Sequence, residues 1–307
     1  MGQRSTLLAA LIGAVAVTTT SALAVETKAT ASNLLGFDET YVRTLSASDV
    51  IPEVRVLETF DFNETAVAAE PFVGPEEAAE RAQKRFINGA DDRYLYSDTN
   101  YPYGAIGKLQ WSNGVFCSGA LVGPRHVLTA KHCLVSGQSG TFSPGFDNGA
   151  RLGSGAVTTV ITSGYEWGSP CGWKGDWAIL ILDRRLGDER GYFGVKLPER
   201  SKVDNPMFHH IGYPGDRDGG NRPYRTNGNT VQGFRAWDCD QYGPFYTDTD
   251  CAGGQSGGPH WEVVDGNRYI WGTLSVTFDG GNGVAWSGWG SGEQMLDSVI
   301  RARNDFP

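Results

Sequence analysis

The chain has 307 residues, of which 40% are hydrophobic and 11% aromatic, a composition that excludes a disordered or low-complexity protein and is long enough for two ordinary domains. Its formal charge of −9 argues against a nucleic-acid partner, which would call for a basic face. The 42 glycines cluster after residue 100 between short apolar runs, which predicts tight turns joining short strands and an all-β protein.

The first residues, MGQRSTLLAALIGAVAVTTTSALA, carry Arg4, an apolar run from Leu7 to Val17 and the small-residue site Ala22-Leu23-Ala24. That is the layout of a secretory signal, expected to be cut after Ala24. The run is shorter than the roughly 20 apolar residues a membrane span needs, so a secreted protein without a membrane partner is expected. Residues 25–85 form a second, distinct stretch, without cysteine, tryptophan or histidine. Within it, Pro75 followed by EEAAERAQKR predicts a short helix with acids at its start and bases at its end, in accord with the helix dipole. The stretch ends in the dibasic pair Lys84-Arg85, a candidate processing site, and contains the glycosylation sequon Asn63-Glu64-Thr65.

From residue 86 the texture changes to strand and turn. AIGKLQW, SGALVG, HVLTA, AVTTVIT, WAILILD, YIWGTLSV and GVAWSGW are β-rich runs bounded by Gly, Asn, Asp or Pro, the rhythm of a barrel or sandwich. The five cysteines of a secreted chain allow two disulfides and one thiol. Cys117 and Cys133 flank one apolar segment and are expected to pair, which is worth about 3 kcal/mol by loop entropy. Cys239 with Cys251 is the next expected pair, leaving Cys171 free. No CxxC or HxxxH spacing supports zinc, and the acidic GDRDGG stretch is too generic for calcium, so no metal or other cofactor is expected.

Three segments carry the chemistry. In GGQSGGP, residues 253–259, glycines on both sides of Ser256 permit positive φ and close approach of a substrate, and the amides of Gly254 and Ser256 are the candidate donors to an oxyanion. Taken alone, such a cluster is more often a surface turn. In CSGALVGPRHVLTAKHC, residues 117–133, His132 follows a small-residue strand end and is tethered by Cys133, whereas His126, His209, His210 and His260 read as structural. In GDWAILILD, residues 175–183, Asp176 opens a continuous apolar strand, where a carboxylate can be held at a barrel rim to orient an imidazole.

In the order His132, Asp176, Ser256, these segments resemble the chymotrypsin-like, or trypsin-like, serine proteases. FINGADDRYLYSDTNYPYGAIGKL, SPGFDNGA, GYFGVK, IGYPGDRDGG and DTDCAGGQSGGP are similar, within that family, to the bacterial glutamyl endopeptidase-like branch, over nearly all of residues 86–307. The resemblance implies an all-β fold of two antiparallel six-stranded barrels, 86–190 with His132 and Asp176 and 191–307 with Ser256, and a cleft between them. It implies a secreted, monomeric serine endopeptidase acting on proteins or peptides through an acyl-enzyme, made as a zymogen with 25–85 as its own propeptide. A catalytically silent homologue that binds partners through the same cleft is the alternative. An α/β-hydrolase esterase fails, because its nucleophile precedes its acid and histidine in the chain.

Two departures stand out. Many relatives carry an aspartate just before the serine to pair with a newly freed amino terminus; here Gln255 is neutral, so activation must work differently. Cleavage after Arg85 would free Phe86, whose amino group is expected near the substrate pocket. The pocket strand WGTLSVTFDGG, residues 271–281, lacks the histidine that glutamate-specific members use. Ser275 and Thr277 remain as substrate-binding candidates. Asp250, six residues before Ser256, is either a loop-capping acid or a recognition site for basic residues, so the preference at the cleavage site stays open between acidic and basic.

Overall fold

A computed structural model describes residues 50–57, 64–70, 90–233, 237–281 and 284–307. The expected signal segment, the helix after Pro75, Asn63, Lys84-Arg85 and Phe86 lie outside the described residues.

The short apolar runs fold as strands. In chain order they are β1 (Glu53–Leu57), β2 (Ala66–Val67), β3 (Tyr94–Leu95), β4 (Ile106–Trp111), β5 (Phe116–Gly123), β6 (His126–Thr129), β7 (Gly140–Pro144), β8 (Gly155–Ser163), β9 (Ala178–Leu182), β10 (Gly194–Lys196), β11 (Pro206–Gly212), β12 (Tyr224–Thr230), β13 (Phe245–Thr247), β14 (Pro259–Val264), β15 (Asn267–Gly281) and β16 (Val284–Ser291). Among the described residues three α-helices interrupt them: α1 (Pro170–Lys174), α2 (Gly187–Arg190) and α3 (Glu293–Asp305).

The first sheet runs β1-β8-β7-β4-β5-β6-β9, and the further pairing of β8 with β9 closes six of these strands into a barrel. The second runs β13-β16-β15-β14-β11-β12-β3. A bridge between Val231 and Thr247, with Gln232 N–H donating to Tyr246 O at 2.8 Å, brings the end of β12 back to β13 and closes the second barrel. The fold is therefore the pair of six-stranded barrels that the family resemblance implies.

Where the barrels meet, both faces of a strand are buried. In β4, Leu109 and Trp111 lie on one face and Lys108 and Gln110 on the other, and all four are buried, with β11 packed against the strand. Burying an ammonium needs compensation. Lys108 Nζ donates to Asn221 Oδ1 at 3.1 Å and lies 4.1 Å from the centre of the Phe116 ring.

The helix α3 crosses from the second barrel to the first, packing on β8, β9 and β6. Its buried Met295, Leu296, Val299 and Ala302 repeat at helical spacing. Two pieces of the chain ahead of residue 90 are also built into the sheets. β1 pairs in parallel with β8, from Glu53 opposite Thr159 to Leu57 opposite Ser163. β2 pairs with β10, and Glu70 exchanges two backbone hydrogen bonds, of 2.9 and 2.8 Å, with Tyr192. Side chains of α3 clasp this segment, with Gln294 Nε2 donating to Leu57 O and Arg303 Nη1 to Ala68 O.

Disulfides join Cys117 to Cys133 and Cys171 to Cys239, with Cys251 a free thiol. The second bond corrects the expected Cys239–Cys251 pairing and the expected free Cys171. The reason is local. Cys251 faces β16, its Sγ 2.7 Å from Ser287 Oγ, which in turn donates to Thr249 O. Cys171 instead sits in α1, whose Lys174 pairs with Asp240, the neighbour of Cys239.

Candidate active site

The site is assembled where the two barrels touch. His132 lies in the single helical turn Lys131–Cys133 that follows β6, and the Cys117–Cys133 bond ties that turn to β5. Asp176 follows α1 and precedes β9. Ser169 caps α1 by accepting from Gly172 N–H, Pro170 starts it, and the N–H of Asp176 donates to Trp173 O at 3.2 Å. The Cys171–Cys239 bond anchors the same helix to the second half of the chain, so the carboxylate rests on a short, doubly fixed element.

The Asp176 carboxylate is buried, at 1% exposure, and fully engaged. Oδ1 accepts the backbone N–H of His132 at 2.8 Å, while Oδ2 accepts Nδ1–H of the same residue at 2.7 Å. Ser275 Oγ donates to Oδ2 at 2.6 Å. With Nδ1–H given to the carboxylate, Nε2 of the neutral ring is the atom left to act as a base. Trp167, 40% exposed, stands edge-on to the His132 ring with centroids 5.6 Å apart.

The loop that carries Ser256 is laid against the segment ahead of His132 by its glycines. Gly257 has φ +78°, and a Cβ there would stand 2.1 Å from Thr129 Oγ1 and 2.7 Å from Ala130 N, so the loop lies directly on the segment leading into His132. Ser118 N–H donates to Ser256 O at 2.8 Å, and Ser118 Oγ to Gly254 O at 2.8 Å. Gly254 has φ +94°. Among the described residues, neither the Gly254 nor the Ser256 amide donates a hydrogen bond within the chain, whereas the amides of Gln255, Gly257 and Gly258 all do.

The substrate-binding candidates part company. Ser275 is buried and commits its hydroxyl to Asp176, so it supports the site from behind. Thr277 is exposed on β15, paired across to Ser287 on β16. Asp250 Oδ2 accepts the backbone N–H of Asp92 at 2.9 Å and thereby caps the segment entering β3. Cys251, beside it, is pushed up to about 12 by burial and stays a thiol. Cys117, His132 and Cys133 bring three donor atoms within 4.8 Å, but the two sulfurs are bonded to each other.

The other histidines separate from His132 by their surroundings. Burial lowers His126 and His210 to about 4, and lowers His260 well below the usual value, keeping all three neutral. The sequence singled out Gln255 and Asp250 but not Arg93, which ties the serine loop to the start of β3. Arg93 is 7% exposed, and its guanidinium reaches Gln255 Oε1 at 2.8 Å and both oxygens of Asp216 at 3.0 and 2.7 Å.

Two barrels, a histidine and aspartate from the first and a glycine-boxed serine from the second define the class of chymotrypsin-type serine proteases. More particularly, a family model described as Trypsin matches residues 96–288, and the chain belongs to that family. It is 28% identical over 226 residues to a glutamyl endopeptidase of Bacillus licheniformis, the match covering 70% of this chain and 66% of that protein. Serine protease 23 of Rattus norvegicus is 26% identical over 212 residues, covering 59% of this chain and 52% of that protein. The chain thus spans between about half and two thirds of these curated relatives. A solved glutamyl endopeptidase structure superposes with a TM-score of 0.58 at 22% identity, covering 71% of this chain and all of that one, which shows the shared fold.

Proposed function

We propose that the protein is a secreted serine endopeptidase that cuts peptide bonds through an acyl-enzyme, with His132, Asp176 and Ser256 as its triad. The observation that carries this is the Asp176 carboxylate, which holds both the backbone and Nδ1 of His132 while Gly257, next to Ser256, lies against Thr129 and Ala130 just ahead of that histidine. Ser256 Oγ attacks the substrate carbonyl as His132 Nε2 takes its proton. Asp176 keeps the ring in the required tautomer and stabilises the imidazolium. The amides of Gly254 and Ser256 receive the oxyanion, an interaction whose loss typically costs about a hundred- to a thousandfold in rate. His132 then hands its proton to the leaving amine, and water, activated in the same way, releases the acyl group.

The leader reads as a signal segment over 1–24 and a propeptide over 25–85, cut after Arg85 so that Phe86 becomes the amino terminus, with 86–190 and 191–307 as the two barrel halves. The natural targets are proteins or peptides. Thr277 is the candidate pocket hydroxyl, and the use of Asp250 by the Asp92 amide argues against its serving as a free acid for basic substrates.

The test is mass-spectrometric mapping of cuts in a mixed peptide library by the processed protein, with Ser256→Ala as control. Cuts absent from the control establish the peptidase, and the residue before each cut gives its preference. A folded, processed protein that makes no cuts points to a silent homologue that only binds. Amino-terminal sequencing of secreted protein tests the leader, and a start far from residue 86 overturns that part.

A further inference from the structure

The neutral Gln255 leaves open what orders the serine loop without an aspartate to hold an amino terminus. The structure supplies a cation from within the chain. Arg93 Nη1 donates to Gln255 Oε1 at 2.8 Å, and the same oxygen accepts the Ala252 N–H at 2.9 Å. On its other side Gln255 is held by His210. Nδ1 of that ring lies 3.0 Å from Pro259 O, which fixes the proton there and leaves Nε2 to accept from Gln255 Nε2 at 3.2 Å. The residue before Ser256 is thereby clamped from both ends of its amide.

Arg93 itself is locked by charge. Asp91 accepts from it at 3.0 and 2.7 Å, Asp216 accepts at 3.0 and 2.7 Å, and Arg217 bonds Asp91 at 2.6 Å and the Arg93 carbonyl at 3.2 Å. The guanidinium at its side holds the Asp91 carboxyl well below the usual carboxylate range. The same turn reaches the serine loop directly, through Gly215 N–H to Gly253 O at 2.7 Å. Three sequence motifs, the ADDR stretch, GYPGDRDGG and GGQSGG, therefore meet at one point, and a bidentate guanidinium is suited to join them.

We propose that Arg93 is a positioning residue for the oxyanion loop: it takes the place of a newly freed terminal ammonium by fixing Gln255, and with it the Gly254 and Ser256 amides. This rests on the peptidase reading above. Because the cation is internal, the loop is ordered without any cut in the chain, and processing then acts only by what it removes or frees at the substrate pocket.

The experiment compares kcat, KM and thermal midpoint for wild type, Arg93→Lys, Arg93→Met, Gln255→Met and the Arg93→Met/Gln255→Met pair in the full, processed chain. The expected result is a kcat lower by roughly ten- to a hundredfold in either Met variant, with KM changed less than about threefold. The double variant should be no slower than the slower single one, and Arg93→Lys should recover part of the rate. The rate of Ser256 acylation by a sulfonyl fluoride should fall in parallel with kcat. A folded Arg93→Met protein with wild-type kcat, or losses that simply multiply in the double variant, overturns the proposal. If Arg93→Met does not fold, Gln255→Met with wild-type kcat overturns it equally. Wild-type protein without Ser256-dependent turnover removes the peptidase reading and this proposal together, whereas turnover insensitive to Arg93 and Gln255 removes only the proposal.

Discussion

The hydroxyl of Ser275, on the second barrel, donates at 2.6 Å to the same Asp176 oxygen that holds Nδ1 of His132 on the first. The carboxylate is thus oriented from both barrels. Ser275→Ala removes one of its three donors while leaving the others, so kcat should fall about tenfold with little change in thermal midpoint. Asp176→Asn should be far more costly, about ten thousandfold in kcat, because the amide can present a donor to Nδ1 and favour the wrong tautomer. Steady-state kinetics on a peptide cut by the wild type decides both.

The Cys171–Cys239 bond closes a separation of 68 residues and fixes the helix that presents Asp176. Its loss through the Cys171→Ser/Cys239→Ser pair should destabilise the protein by about 4 kcal/mol on the loop-entropy account, read as a lower denaturant midpoint. Cys251 should behave oppositely. Its thiol is held protonated up to about 12 and bonded to Ser287, so a thiol reagent at neutral pH should label nothing in the native protein and one group after unfolding.

Acid should unfold the protein through its buried histidines. His126 and His210 are lowered to about 4 by burial, against about 6.5 in an unfolded chain. The unfolded state therefore binds more protons between these values. Stability is complete above about pH 6.5, falls as pH drops towards about 4, and levels off below, with each histidine contributing about 3 kcal/mol. His260 shifts the same way, and among the described residues neither of its ring nitrogens has a hydrogen-bond partner. It stacks on Phe208 at 4.7 Å and leans on Trp289 at 4.7 Å. His260→Phe should therefore flatten the acid limb, and urea midpoints at pH 7, 5 and 4 will show whether it does.

The leader should outlast its own cleavage. β1 and β2 are held by backbone pairing to β8 and β10 and by Gln294 and Arg303, none of which depends on the link to residue 90. After a cut following Arg85, the leader fragment should co-elute with the barrels on native size exclusion and separate only in denaturant. Arg303→Ala, which removes the bond to Ala68 O, should speed its release; a fragment lost at once from the wild type would count against this.

Much of this architecture was legible in the chain because period and turn signals agreed. Runs such as AILILD and HVLTA became β9 and β6, His132 and Asp176 are hydrogen-bonded to each other, and Gly257, next to Ser256, lies against the residues leading into His132. β12, YRTNGNT, carries no apolar alternation and is a strand only because β11 pairs along it. The helix α3 was legible in the spacing of Met295, Leu296, Val299 and Ala302, yet strand texture dominated its surroundings. Cysteine pairing is set by tertiary proximity, which sequence spacing does not contain, and so Cys251 and Cys171 exchanged places. The role of Arg93 was hidden for the same reason, its partners Asp216 and Gln255 lying more than a hundred residues away.

Trp167 turns the site into its own optical probe. The large indoles of Trp111, Trp177, Trp261, Trp271 and Trp289 are sealed in the interior, while Trp167 is exposed with its ring against the imidazole of His132. The emission lost on replacing Trp167 with phenylalanine should therefore report on the surroundings of the His132 ring. Ligand entering the cleft should shift the same signal, which makes occupancy readable in Ser256→Ala protein where no turnover reports it.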